Sequence, residues 1–290
     1  MSTLQSRFPA WRAPVAILAL CLTAGSVAVS PPVRAEPPAA ALTFGVYVGG
    51  VHVLDTKARI ALGAEHYRIE FLAAMDGFLG RLAPITAEVS ATGAMKAGRD
   101  PAPTLYRSVA TWRNEPRLTE LRYTATSIDV IADPPPEKER EPVPQNLRTG
   151  TIDPLSAAVA VLVAIGQGRG CEATLPVFDG RQRYDLLFQP VGDEVLPPSD
   201  IGLYQGPALA CSVALKPVAG AWRQRGRDRD DEPGRRRNYP MKVWVAEVGG
   251  GPPMPVRLEA TTPFGTVLVH LTKYDRALAS EGGDGSRPPG

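Results

Sequence analysis

Apolar and polar residues alternate with a period of two over much of the chain. In the run His66-Tyr67-Arg68-Ile69-Glu70-Phe71, Tyr67, Ile69 and Phe71 fall on one face and His66, Arg68 and Glu70 on the other. That is the pattern of a strand with one wet face. Elsewhere Tyr184, Leu186 and Phe188 alternate with Arg183 and Asp185. Leu209, Cys211, Val213 and Leu215 share a face, and Val256, Leu258 and Ala260 alternate with Arg257 and Glu259. Further strands are predicted near residues 85–91, 105–112, 118–123, 128–132, 241–248 and 266–272. Gly49-Gly50 and Asp179-Gly180 each separate two such runs and are predicted to close hairpins. The pattern predicts a mainly β fold, a curved antiparallel sheet or partly open β-barrel.

One segment has a different period. Asp153 is a capping residue, Pro154 occupies the first helical position, and a dense Ala, Val and Leu run follows to Gln167. These signals predict a helix ending near Gly168. It is apolar nearly all round, so it is expected to lie buried against the sheet. Three stretches read as irregular and mobile: a Pro-rich excursion at 133–144, a charged loop at 222–238 and a tail at 280–290. The organisation expected is one β-rich domain over 36–279, with 133–144 as an excursion within one curved sheet rather than a linker between two domains.

The first 35 residues carry Arg7, Arg12 and Arg34, no acid, and an uncharged apolar run from Ala13 to Val29. This reads as a cleavable signal peptide over 1–35, with cleavage expected after Ala35 and a destination in the periplasm of a Gram-negative bacterium. An uncleaved anchor is the first rival, though the run is shorter than the ~20 residues a span needs. A lipoprotein is the second, through Cys21, but Leu20 before it is not small. Without the leader, the 30 acidic residues outnumber the remaining bases by one, so the basic balance belongs to the leader. A charge this small argues against nucleic acid as a partner.

Loss of Cys21 leaves Cys171 and Cys211, an isolated pair read as one disulfide in an oxidising compartment; two buried thiols are the alternative. Neither lies in a redox or zinc pattern. His52, His66 and His270 lack metal spacing and are expected to be surface strand residues. Nucleophile-elbow, zincin and phosphate-cradling motifs are absent from the sequence. No catalytic residue, metal ligand or cofactor is therefore assigned. Phe78 and Leu79, set between Gly77 and Gly80 where a strand should end, either cap the core or line the mouth of a ligand cavity; Trp112, Tyr204 and Trp222 carry the same two readings. Arg235, Arg236 and Arg237 are candidate contacts for an anionic headgroup or an acidic partner surface, against the plainer reading of a solvated loop.

Several local patterns together resemble one bacterial family, domain of unknown function 3108. They are Leu42-Thr43-Phe44-Gly45-Val46-Tyr47 followed by Gly49-Gly50; Phe78-Leu79-Gly80-Arg81-Leu82; Thr151-Ile152-Asp153-Pro154-Leu155-Ser156; Pro176-Val177-Phe178-Asp179-Gly180; and Pro255-Val256-Arg257 leading to Phe264-Gly265-Thr266. The resemblance implies an exported protein whose curved, partly open sheet is similar to that of envelope lipoprotein carriers, which wrap a helix and shelter acyl chains. It implies no activity and no site residues. The expectation is a non-enzymatic protein that binds a lipid or another apolar or amphiphilic envelope component. The alternatives are an envelope scaffold without a ligand cavity and an envelope hydrolase with a polar, carboxylate-lined cleft.

Overall fold

The computed structural model describes residues 39–75, 85–97, 100–112, 115–138, 140–221, 223, 241–262 and 265–277. Among them, thirteen strands form one antiparallel sheet: β1 (Ala39–Val48), β2 (Val51–Leu62), β3 (His66–Ala74), β4 (Ile85–Lys96), β5 (Asp100–Trp112), β6 (Glu115–Tyr123), β7 (Ile128–Asp133), β8 (Ala173–Phe178), β9 (Arg183–Leu196), β10 (Gly206–Ala219), β11 (Met241–Glu247), β12 (Pro253–Thr262) and β13 (Gly265–Ala277). Two helices, α1 (Gln145–Arg148) and α2 (Pro154–Gly166), lie between β7 and β8. The expected leader and cleavage site, most of the charged loop and the 280–290 tail fall outside the described residues.

The spatial order β7-β6-β5-β4-β3-β2-β1-β13-β12-β11-β10-β9-β8 makes the sheet two meanders joined at one place. Each meander steps from one strand to its neighbour in chain order, and the ends of the folded chain meet where β1 pairs with β13. The sheet is not closed; β7 and β8 are its two edges. The segment between those edges carries α2, which packs against β4 and β5 of one wing and β8 and β12 of the other. A single sheet can touch one helix from both wings only by curving round it.

Residues directly opposite across an antiparallel ladder point to the same side. The row Ala40, Ile60, Ile69, Ala91, Tyr106 and Leu121 crosses six strands, and none of its members is more than 6% exposed. This is the concave face, for Tyr67 next to that row reaches Ser156 of α2. The outward neighbours His66, Arg68 and Lys57 are exposed, as period-two patterning requires. The β1–β2 hairpin turns on Gly49 and Gly50, both at positive φ.

The helix starts as its sequence dictates. Asp153 Oδ1 accepts from the Ser156 N–H at 2.8 Å, and Pro154 opens the first turn, where no N–H is needed. Just before the helix, Ile152 makes a parallel bridge to Val177, with bonds to the Pro176 carbonyl and from the Phe178 N–H.

The Pro-rich excursion has irregular backbone but does not hang free. It runs along the gap between the sheet edges, where Glu137 accepts from Arg117 of β6 at 3.0 Å and from Arg140 at 2.9 Å. Arg181, in the β8–β9 turn, lies 3.8 Å from the same carboxylate and donates to the Pro134 carbonyl. Arg140 in turn donates to the Gly220 carbonyl beyond β10. One carboxylate thus gathers three guanidinium groups, one from each wing and one from the excursion itself. The β8–β9 turn also sits against β6, since a Cβ on Gly180 would come within 2.3 Å of Thr119.

Candidate functional site

Two surfaces have the geometry to hold a ligand, one on each face of the sheet. The concave face changes along its length. Beyond the fully buried row, the next two rows read Leu42, Ala58, Phe71, Val89, Ser108, Thr119 and Phe44, Thr56, Ala73, Ala87, Ala110. Phe71, Ala73, Ala87, Val89 and Ala110 are only half-buried. The apolar lining therefore continues past the helix and becomes accessible toward the ends of β3, β4 and β5.

Under α2 the same face carries a sealed polar chain. Tyr67 O–H lies 2.6 Å from Ser156 Oγ, which donates to Asp153 Oδ2. Tyr67 reaches the helix because its partner is Gly93; a Cβ there would sit 2.6 Å from the Tyr67 ring and 2.4 Å from the Ala102 carbonyl. Burial pushes the Asp153 carboxyl up to about 6, against hydrogen bonds that favour its charged form. Burial likewise raises Tyr67, Tyr106, Tyr123 and Tyr184. With Asp153 and Ser156 both wholly buried, this group holds the helix in place and has no route to a substrate.

The second surface lies on the opposite face. Cys211, Val243, Leu258 and Val269 form a row whose Cys211 and Val243 pack with Val161 of α2, so this row faces the helix. The adjacent row, Ala210, Trp244, Arg257 and His270, must face away from it. That face is not open to water as the alternation alone predicts, because the β9–β10 connection folds back over it. The Leu203 N–H donates to the Leu271 carbonyl at 2.7 Å, where β12 and β13 have parted beyond the Arg257–His270 pair. Trp244 is left 5% exposed and His270 7%, so His270 is a buried residue and not the surface strand residue its sequence suggests.

Between the connection and the sheet lies a cleft of about 270 Å³, lined by Leu196, Pro197, Pro198, Ser199, Gly202, Tyr204, Val256, Arg257 and His270. Arg257, on its wall, also belongs to an electrostatic lattice beside the cleft. The Trp244 ring has Lys242 Nζ at 4.7 Å and the Arg257 guanidinium at 4.9 Å, and its Nε1 donates to Glu194 at 2.8 Å. Lys242 pairs with Glu194, and Arg257 Nη2 donates to Glu259 at 3.0 Å. The hydrogen bonds from Lys242 and Trp244 hold the Glu194 carboxyl below its usual range. Burial, and then Arg257, lowers His270 and keeps its ring neutral near pH 7.

Of the residues singled out from sequence, Tyr204 lines this cleft, and its hydroxyl donates to the Pro207 carbonyl. The backbone of Trp112 ends β5 in the other wing, and its side chain lies outside the described residues. Phe78, Leu79, Trp222, Arg235, Arg236 and Arg237 also lie outside them. Cys171 and Cys211 are joined in a disulfide that ties the segment after α2 to β10. Arg257, His270 and Trp244 were not legible as a group. Their only signal is a polar-apolar alternation that is equally that of an ordinary wet face. Among the described residues no three His, Cys, Asp or Glu side chains gather as a metal site would need, and no helix is long and apolar enough to cross a membrane.

A search of curated proteins finds no match to the sequence. Among solved structures, the chain is similar to a beta-barrel-like protein of domain of unknown function DUF1849 from Brucella abortus. The TM-score is 0.48 at 9% identity, covering 84% of this chain and 99% of that one. The family described as Protein of unknown function (DUF3108) matches residues 43–272, from β1 to β13, and the chain belongs to that family.

Proposed function

We propose that this is a non-enzymatic protein of the periplasm that holds an apolar or amphiphilic envelope component, a lipid in the first instance, against the concave face of its sheet. The observation that carries the reading is the change along that face. Helix α2 fills one end, while Phe71, Ala73, Ala87, Val89 and Ala110 continue the same apolar rows half-exposed. Apolar side chains on the inside of a curved sheet are where a ligand of matching chemistry gains most from leaving water. The leader, the disulfide and the family's character as read from its motifs support an exported setting.

The test is native mass spectrometry of protein recovered from the periplasm under mild conditions, followed by organic extraction. A reproducible lipid adduct is expected, and it should be absent from Val89→Arg, which places a charge in the apolar rows. A clean apo mass that stays clean with added envelope lipids sinks the carrier reading. The scaffold reading would then lead, since packing of α2 over the closed rows already favours it.

A further inference from the structure

The cleft under the β9–β10 connection holds two polar groups whose hydrogen bonds are unmade. Arg257 Nε is buried with no partner, although the same guanidinium is otherwise engaged by Glu259 and Trp244. His270 is more than nine-tenths buried, lines the cleft, and has no hydrogen-bond partner for either ring nitrogen among the described residues. Its described neighbours are the Tyr47 ring, edge-on at 6.2 Å, and the space beside Gly202. Arg257 Nε is thus a buried donor left unpaired, and beside it His270 lines the cleft with no partner for its ring among the described residues, so this wall can take its acceptor from a ligand.

The chemistry of that partner follows from the wall. An Arg N–H can only donate, and a neutral imidazole offers one more donor, so the ligand must bring acceptor oxygens. A cation is excluded by Arg257. The local charges already balance, Lys242 against Glu194 and Arg257 against Glu259, so each added negative charge is opposed and a dianion fits worse than a monoanion. A single carboxylate fits both conditions and gains from a charge-assisted bond. The remaining wall, Leu196, Pro197, Pro198 and Val256, is apolar. Val195 near the end of β9 and Ile201 and Leu203 on the connection itself are 75%, 39% and 52% exposed. The volume of about 270 Å³ suits a short acyl chain and not a whole lipid.

We infer that this cleft binds the carboxylate of a small acyl compound, with Arg257 Nε and His270 as donors and the apolar residues of the β9–β10 connection around the chain. The site is on the face opposite α2 and stands independently of the concave-face reading.

Octanoate is the probe, titrated into the disulfide-bonded protein by calorimetry and followed through its ¹³C-labelled carboxyl by NMR. One saturable site is expected, with methyl octanoate and 1-octanol at least about tenfold weaker, as loss of a charged acceptor should cost. Arg257→Gln should weaken octanoate by about tenfold or more, and His270→Gln by several fold. Because Arg257 also packs on Trp244, Gly202→Val serves as the control for folding. It touches neither charge pair, yet a Cβ at Gly202 already lies 3.1 Å from His270 Nδ1, so the larger side chain should close the cleft. The inference is overturned by no binding at millimolar octanoate, by equal binding of 1-octanol, or by octanoate affinity that survives both His270→Gln and Gly202→Val.

Discussion

The wing β1–β7 and the wing β8–β13 are built from strands of the same kind but obey different rules. In the first, inward residues such as Ile60, Ile69 and Leu121 are buried, and outward ones such as Lys57, His66 and Arg68 meet water. In the second, both faces are covered. Cys211 and Val243 meet α2 on one side, while Trp244 and His270 lie under the β9–β10 connection on the other. Register shifts do not separate the wings, since they occur at Val46/Tyr47 and Thr92/Gly93 in the first and at Ala210/Cys211 and Trp244/Val245 in the second. Covering one face of a sheet yields a shelter whose lining is mostly apolar, with its Tyr67–Ser156–Asp153 chain sealed under the helix. Covering the second face by a chain that folds back traps polar groups as well, and polar groups with unmade bonds are what a specific site needs.

Four measurements would break or sharpen this contrast. The largest effect is expected from Cys171→Ala with Cys211→Ala. A crosslink between residues 40 apart limits the unfolded chain, so its removal should cost about 4 kcal/mol in urea denaturation, with hydrogen exchange rising first in β8–β10. Asp153 comes next, because its carboxyl is pushed up to about 6 in the fold from an ordinary 3.8. A raised acid stabilises only while protonated, so this contribution is full below the ordinary value and is lost as pH rises through about 6. The native sequence should therefore lose up to about 3 kcal/mol from this group between about pH 3.5 and about pH 7, and Asp153→Asn should flatten that dependence.

Glu137 tests the seam between the wings with the opposite sign. Burial pushes its carboxyl up, but bonds from its own backbone N–H, Arg117 and Arg140 outweigh that and leave it lowered. Its contribution is present above the ordinary carboxylate range and is lost as pH falls through the lowered value. Glu137→Ala should cost about 2 kcal/mol near neutral pH, and the gap to the native sequence should narrow in acid. The smallest effect is expected at His66, exposed on the outer face of the regular wing: His66→Ala should change stability by less than about 0.5 kcal/mol.

The regular wing was readable because one helix covers one face, and a period of two then reports burial directly. Tyr67, Ile69 and Phe71 point inward as their alternation predicts, and Asp153-Pro154 starts the helix. Strand ends were harder to see: β5 begins at Asp100 and runs through Pro101 and Pro103, residues that read as breakers. The convex cleft was not legible, because Arg257 alternates with Val256 and Leu258 just as a solvated arginine would. What buries its Nε and His270 is a connection of Pro, Ser and Gly that the local pattern marks only as a loop. Tyr204 alone of the aromatic residues singled out from sequence lies there among the described side chains, and nothing local says which face it covers. The seam was hidden for the same reason: Glu137 sits in a stretch whose composition reads as solvated, and its partners are brought from β6 and the β8–β9 turn by the curvature of the sheet.

In the proposed function the half-exposed rows of the concave face, and not the outer face of the same strands, hold the apolar envelope component. Phe71 and His66 lie on opposite faces of β3, so a photo-crosslinking amino acid at each, activated in intact cells, compares the two faces within one strand. A lipid-linked product from position 71 with none from position 66 is the predicted result. Equal products from both positions, or none from position 71 in protein that still exports and folds, would contradict it.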